Sequence, residues 1–208
     1  YKFIMNKDFI EGVNYLKKND MTLKKIINKT GQIKFEIKQN KFESLSKIII
    51  SQQLSNKASN TIIKRVENKI ERFIPEKFIS LKKDEIRKCG VSNAKYNCIK
   101  LISNEIIYND LDLDSLKSKS EDYTFNKLNS LKGVGPWSIN MFLIFGLGKL
   151  NVFPIKDVGI QNSIMKFYSI KEKPSFEKMI ELKNKWDPFC TISCLYLWNS
   201  YDNNLNIE

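Results

Sequence analysis

Along nearly the whole chain, apolar residues recur every three or four positions, the period that gives a helix one buried face. Leu23, Ile26 and Ile27 predict a first helix over residues 21–29, stopped at Gly31. Phe42, Leu45, Ile48 and Ile49 carry the same stripe into Ser51-Gln52-Gln53-Leu54-Ser55. Ser55 suits the N-cap of a helix bearing Ala58, Ile62, Ile63 and Val66. Pro75 opens another turn, Gly90 closes a helix around residues 84–88, and Ser92 caps one through Ala94, Cys98, Leu101 and Ile102.

Residues 110–119 are acidic and polar and read as a connector. Ser120 begins a helix with Tyr123, Leu128 and Leu131 inward, ended by Gly133-Val134-Gly135. Pro136 then takes the first position of a helix, where its missing N–H costs nothing. Trp137, Ile139, Phe142, Leu143 and Phe145 make that helix central, and Gly146 and Gly148 end it. Asp157 caps a helix through Ile160, Ile164 and Phe167; Pro174 separates it from one around 176–182, and Pro188 opens a last one ending near Trp198. No Asn-Gly or Asp-Gly hairpin signal interrupts the pattern, so the expected fold class is all-α.

Composition narrows the chemistry. The 208 residues suffice for one large domain or two small lobes, and 42% are apolar. The apolar runs, such as Ile48-Ile49-Ile50, are core-sized and predict no membrane partner. The opening Tyr1-Lys2-Phe3-Ile4-Met5 carries an early charge and is followed by Asp8, which gives no secretory pattern. Lysine and arginine number 35 against 23 acidic residues, a formal charge of +12 that suits either a Lys-rich surface or a polyanion partner such as nucleic acid. Histidine is absent, which removes His general bases, His-dependent nucleophile triads and His-ligated zinc. Cys89, Cys98, Cys190 and Cys194 match neither a zinc knuckle nor a compact iron–sulfur loop. They read as reduced core thiols of an intracellular protein, with no metal site expected.

The stretch richest in chemistry is Leu131-Lys132-Gly133-Val134-Gly135-Pro136-Trp137, with Asp157 twenty residues beyond Trp137 in Phe153-Pro154-Ile155-Lys156-Asp157. A Gly-x-Gly turn before a helix exposes backbone N–H groups that suit a phosphate. Asp157 has a plain reading as a helix N-cap, and a second as one isolated carboxylate beside that grip. The two are compatible, because a helix start favours the ionised form. Together they suggest chemistry on DNA.

With these residues in place, the chain resembles the helix–hairpin–helix DNA glycosylases, specifically the 3-methyladenine II (alkylbase) branch. Six blocks carry the resemblance in order. They are Asp20-Met21-Thr22-Leu23 up to Gly31; Ile49 to Ala58; Gly90-Val91-Ser92-Asn93-Ala94-Lys95; Leu131 to Trp137; Phe153-Pro154 to Gly159; and Trp186-Asp187-Pro188 to Trp198. The resemblance implies two helical lobes with a DNA groove and a base pocket between them, in a compact form lacking an N-terminal β-rich domain. Within one domain over 1–208, the expected lobes are about 32–115 and 116–208, plus N-terminal helices over 1–31.

The resemblance also assigns roles. Asp157 would stabilise the positive charge that develops on the sugar as the N-glycosidic bond breaks, and would orient the attacking water. An alkylated purine leaves as a neutral base, so no general acid is needed. Relatives that also nick the backbone carry a lysine where this chain has Trp137, which cannot form a Schiff base; a monofunctional enzyme leaving an abasic site is expected. Trp137 and Trp198 would line the base pocket, where a cationic base stacks on an indole face, with Met141 and Asn140 beside them. Gln53 would fill the gap left by the flipped base. Gly133, Val134 and Gly135 would hold the DNA backbone, flanked by Lys132 and Lys156, with a monovalent cation on the loop carbonyls as the one candidate ion and no cofactor otherwise. Cys190 departs from the arginine common in relatives, which puts the family's ion pairing or phosphate contact there in doubt.

The expected partner is duplex DNA containing a damaged base, bound by a monomer in the cytoplasm or nucleoid of a prokaryote or the nucleus of a eukaryote. Two other readings stay open: a glycosylase for deaminated or oxidised bases, and a non-enzymatic helix–hairpin–helix DNA-binding module. The second needs neither Asp157 at its spacing nor the aromatic pair.

Overall fold

The computed structural model describes residues 2, 3 and 7–207; the rest of the opening segment lies outside the described residues. Two compact units emerge, one of residues 1–37 with 149–208, the other of residues 38–148. The division thus falls at 37/38 and 148/149 rather than at the expected 115/116. The acidic connector explains the difference: Leu111, Leu113 and Leu116 bury their side chains, so the stretch belongs to a core instead of bridging two.

The first unit holds β1 (Lys2–Phe3) paired antiparallel with β2 (Glu36–Ile37), with Lys2 opposite Ile37 and Phe3 opposite Glu36. The rest is helical: α1 (Lys7–Asn19), α2 (Met21–Thr30), α10 (Val158–Phe167), α11 (Phe176–Trp186) and α12 (Cys190–Asp202). Helix α1 begins well before the first helix expected at Met21. Its signal is the spacing of Phe9, Gly12 and Leu16, all buried. Gly12 is there for closeness, since a Cβ would lie 2.3 Å from the Ile192 side chain of α12.

The hub of this unit is Asp20, 1% exposed. As N-cap of α2 its Oδ1 accepts the N–H groups of Thr22 and Leu23. Its Oδ2 accepts the Trp186 indole N–H at 3.0 Å and the Tyr168 hydroxyl at 2.8 Å, with the Lys185 ammonium at 3.2 Å. Burial alone would raise its pKa, but the bonds from Trp186, Leu23, Tyr168 and Lys185 win and hold it below the ordinary carboxylate value. Burial and the Asp20 charge push the Tyr168 phenol well up.

The second unit runs α3 (Lys41–Ser51), α4 (Asn56–Ile70), α5 (Pro75–Ser80), α6 (Lys83–Lys88), α7 (Asn93–Tyr108), a 3₁₀ turn at Ser115–Ser118, α8 (Glu121–Asn129) and α9 (Pro136–Met141). Ser55, Ser92 and Ser120 cap α4, α7 and α8 through their side chains, as their spacing predicts. Three details differ from expectation. Tyr123 is 51% exposed, and Thr124 takes the inward position. Ile50 is buried more fully than Ile48 on α3. Gly146 does not end a helix: α9 continues as a π-helical turn over Phe142–Leu147, and left-handed Gly148 stops it. The wider turn needs Gly146, since a Cβ would sit 2.5 Å from the Phe142 ring. In the first unit, Pro188 follows a cis peptide bond, and α12 starts only at Cys190 because the Phe189 N–H closes a turn onto the Trp186 carbonyl.

Candidate active site

Asp157 and Trp198 come together in the first unit. The Asp157 N–H closes a turn onto Pro154, and the residue then caps α10 by accepting the Ile160 N–H at 2.8 Å on Oδ1. The same oxygen accepts the Trp198 indole N–H from α12 at 2.9 Å. Two donors on one oxygen fix the side-chain rotamer, and the residue is 8% exposed. Gly159 makes this approach possible: a Cβ there would lie 3.1 Å from Asp157 Oδ1 and 3.1 Å from the indole nitrogen. Gln161 adds a brace by donating to the Ile155 carbonyl at 2.8 Å. The arrangement is a held carboxylate in a poorly solvated place, suited to stabilising a nearby positive charge. Lys156 beside it is exposed.

Cys190 is fully buried at the start of α12, where its Sγ donates to the Lys183 carbonyl and its N–H to Asn151. A small thiol fits that packed position without a charge to satisfy. Neighbouring Cys194 has its thiol pKa pushed well up by burial, and all four cysteines are buried and unlinked. Among the described residues, no group of cysteine and carboxylate side chains forms a metal site, and no helix is long and apolar enough to cross a membrane.

The second unit carries the hairpin and the Gln53 turn. Helix α8 gives way to the loop 131–135, whose turn is closed by the Val134 N–H on the Leu131 carbonyl at 3.0 Å. Gly133 has φ +96°, and a Cβ would come within 2.9 Å of the Cys98 side chain, so both conformation and contact demand glycine. Behind it, burial pushes the Cys98 thiol up to about 11. Gly135 precedes Pro136 at the start of α9, and no side chain caps that helix. Lys132 and Gly133 are exposed, Gly135 is half-buried, and Val134 turns into the core. Trp137 and Asn140 are half-buried on α9, whereas Met141 is 6% exposed.

Gln53 is exposed at the tip between α3 and α4, in a left-handed conformation with φ +56°. Two residues without an assigned role hold that tip. Gln52 donates its side-chain amide to the Gly133 carbonyl at 3.1 Å and to the Ser138 hydroxyl at 2.8 Å, tying the tip to the hairpin. Lys95 donates to the carbonyls of Ile50 at 2.8 Å and Gln52 at 2.7 Å. Gln52, Lys95 and Ser138 escape a reading of the sequence because their partners are far along the chain, as is the Trp198 indole that Gly159 admits beside Asp157. Only the adjacency of Gln52 to Gln53 and the place of Lys95 on a Ser-capped helix start hint at them.

Comparisons with known proteins point to one family. A profile described as "HhH-GPD superfamily base excision DNA repair protein" matches residues 46–188. YfjP of Bacillus subtilis is 30% identical over 169 residues, covering 77% of this chain and 59% of that protein. DNA-3-methyladenine glycosylase 1 of Schizosaccharomyces pombe is 30% identical over 169 residues, 78% of this chain and 73% of that protein. The structure of S. pombe 3-methyladenine DNA glycosylase (Mag1) in complex with abasic DNA superposes with a TM-score of 0.86 at 25% identity, over 95% of this chain and 98% of that one.

Proposed function

Because the chain belongs to the HhH-GPD superfamily of base excision DNA repair proteins, we propose that it is a monofunctional DNA glycosylase that excises alkylated purines from duplex DNA. The observation that carries the reading is the Asp157 carboxylate, held on one oxygen by the Ile160 N–H and the Trp198 indole. As the N-glycosidic bond stretches, positive charge moves onto the sugar, and an anion fixed near the sugar stabilises it there more than it stabilises the ground state, whose sugar is uncharged. The alkylated base carries its own positive charge and departs neutral, so the chemistry needs no proton donor. Water then adds to the sugar carbon, with Asp157 orienting it and taking up its proton. The names of the relatives, 3-methyladenine glycosylases in S. pombe among them, support the substrate class.

The remaining roles extend the same reading. The Gly133 and Gly135 N–H groups and the uncapped start of α9 grip phosphate, the Val134 N–H closing the turn itself, with Lys132 adding charge there and Lys156 adding charge beside Asp157. Trp137 offers an indole face to a cationic base and no amine for a Schiff base. Asn140, half-buried like Trp137, is the polar residue beside it, while Met141 is buried. Gln53 fills the stack after the base leaves. The protein works as a monomer and without an organic cofactor. The Leu131 and Gly133 carbonyls already accept hydrogen bonds from Val134 and Gln52.

The test is incubation with duplexes bearing single 3-methyladenine, 7-methylguanine, ethenoadenine or hypoxanthine lesions, followed by hot alkali to cut at abasic sites. Cleavage at the alkylated purines is expected. Preference for hypoxanthine alone moves the enzyme to deaminated bases. Binding without cleavage of any lesion leaves a DNA-binding module.

A further inference from the structure

Helix α3 ends at Ser51, and the last carbonyls of a helix find no partner inside it. Lys95, in the first turn of α7, supplies partners from outside by donating to the carbonyls of both Ile50 and Gln52. Its ammonium also meets the negative end of the α3 dipole. The carbonyls it holds lead directly into Gln53, whose left-handed backbone (φ +56°) is one that a glutamine keeps only when its surroundings enforce it. From the other side, Gln52 fastens the same turn to Gly133 and Ser138. The half-buried lysine is therefore directed at protein backbone, and burial lowers its pKa from the ordinary lysine value.

Resting on the role given to Gln53 above, we propose that Lys95 is a positioning residue for base flipping. It holds the turn 51–54 so that Gln53 stands in a fixed, outward conformation before DNA arrives. Without the two bonds, the turn must be ordered at the moment Gln53 enters the stack, and that cost falls on base extrusion. Encounter with undamaged duplex does not require the ordered turn and stays unchanged.

The experiment compares Lys95→Met, Gln53→Ala and the double variant with wild type in single-turnover excision and in the fluorescence of 2-aminopurine placed beside the lesion. Lys95→Met is expected to slow flipping and excision about tenfold, the double variant being no slower than Gln53→Ala alone. Amide exchange in peptides spanning 51–55 accelerates while the rest of the chain keeps its protection. Rates equal to wild type overturn the proposal. So do effects that multiply independently of Gln53→Ala, or a weaker hold on undamaged duplex, which marks Lys95 as a phosphate contact. Lys95→Gln, which keeps N–H donors on a shorter stem, undergoes the same cycle should Lys95→Met fail to fold. A wild-type protein inert on every lesion defeats the glycosylase reading instead, and amide exchange at 51–55 in the variant then decides the positioning claim.

Discussion

Trp198 donates its indole N–H to Asp157 Oδ1 at 2.9 Å, so an aromatic residue expected to line a base pocket is also the group that aims the carboxylate. The helix N-cap and the proposed catalytic anion are the same oxygen, shared between the Ile160 N–H and the indole. Local helix formation and long-range packing therefore converge on one rotamer.

Asp157→Asn separates capping from charge. Asparagine accepts the same N–H bond, so thermal stability should change little. The lost negative charge should slow single-turnover excision by about 10²–10³. Comparing rates on several lesions matters, because a base that already carries a positive charge retains some reactivity. Wild-type rates would reduce Asp157 to a cap.

Gly159→Ala tests the approach of the indole. The new methyl lies 3.1 Å from both Asp157 Oδ1 and the Trp198 nitrogen, so one of the two must give way. Alanine favours a helix by about 1 kcal/mol over glycine, which offsets the crowding in stability. Excision should drop about tenfold with the melting temperature nearly constant, the loss of one charge-assisted hydrogen bond. Unchanged rates would mean that Trp198 does not aim the carboxylate.

Asp20 should govern acid stability. Its folded pKa lies below the unfolded value of 3.8, so its contribution is fully present above that value and is lost as the pH falls through the folded pKa. Asp20→Ala, which strands the Trp186 and Tyr168 donors, should cost about 3 kcal/mol at neutral pH and flatten the acid limb below pH ~4. Urea titrations at neutral and acidic pH measure both.

Borohydride should trap no covalent complex with lesion DNA, because Trp137 offers no amine. A trapped adduct would identify another lysine, with exposed Lys132 and Lys156 the first to substitute.

Binding to undamaged duplex should weaken steeply with salt. The chain carries +12, and each phosphate neutralised adds about −0.9 to the log–log slope. Affinity independent of salt would argue against a phosphate-gripping hairpin.

The sequence by itself determined whatever is settled within a few residues. Ser55, Ser92, Ser120 and Asp157 cap their helices because a side chain and the N–H three residues on are neighbours in any helix start. Gly31 and Gly148 end helices, and Gly133 turns the hairpin, because their positive φ suits a residue without a side chain. Gly146 shows the limit of that logic, since glycine also serves a close contact inside a helix. Tertiary structure alone decided which distant groups meet. The Asp20–Trp186 bond spans 166 positions, Trp198–Asp157 spans 41, and Lys95 reaches back 43 to Gln52. Periodicity marks the face a helix buries, but says nothing of which partner arrives or at what register. Those bonds form only once several helices have packed, and they set the rotamer of Asp157 and the poise of Gln53.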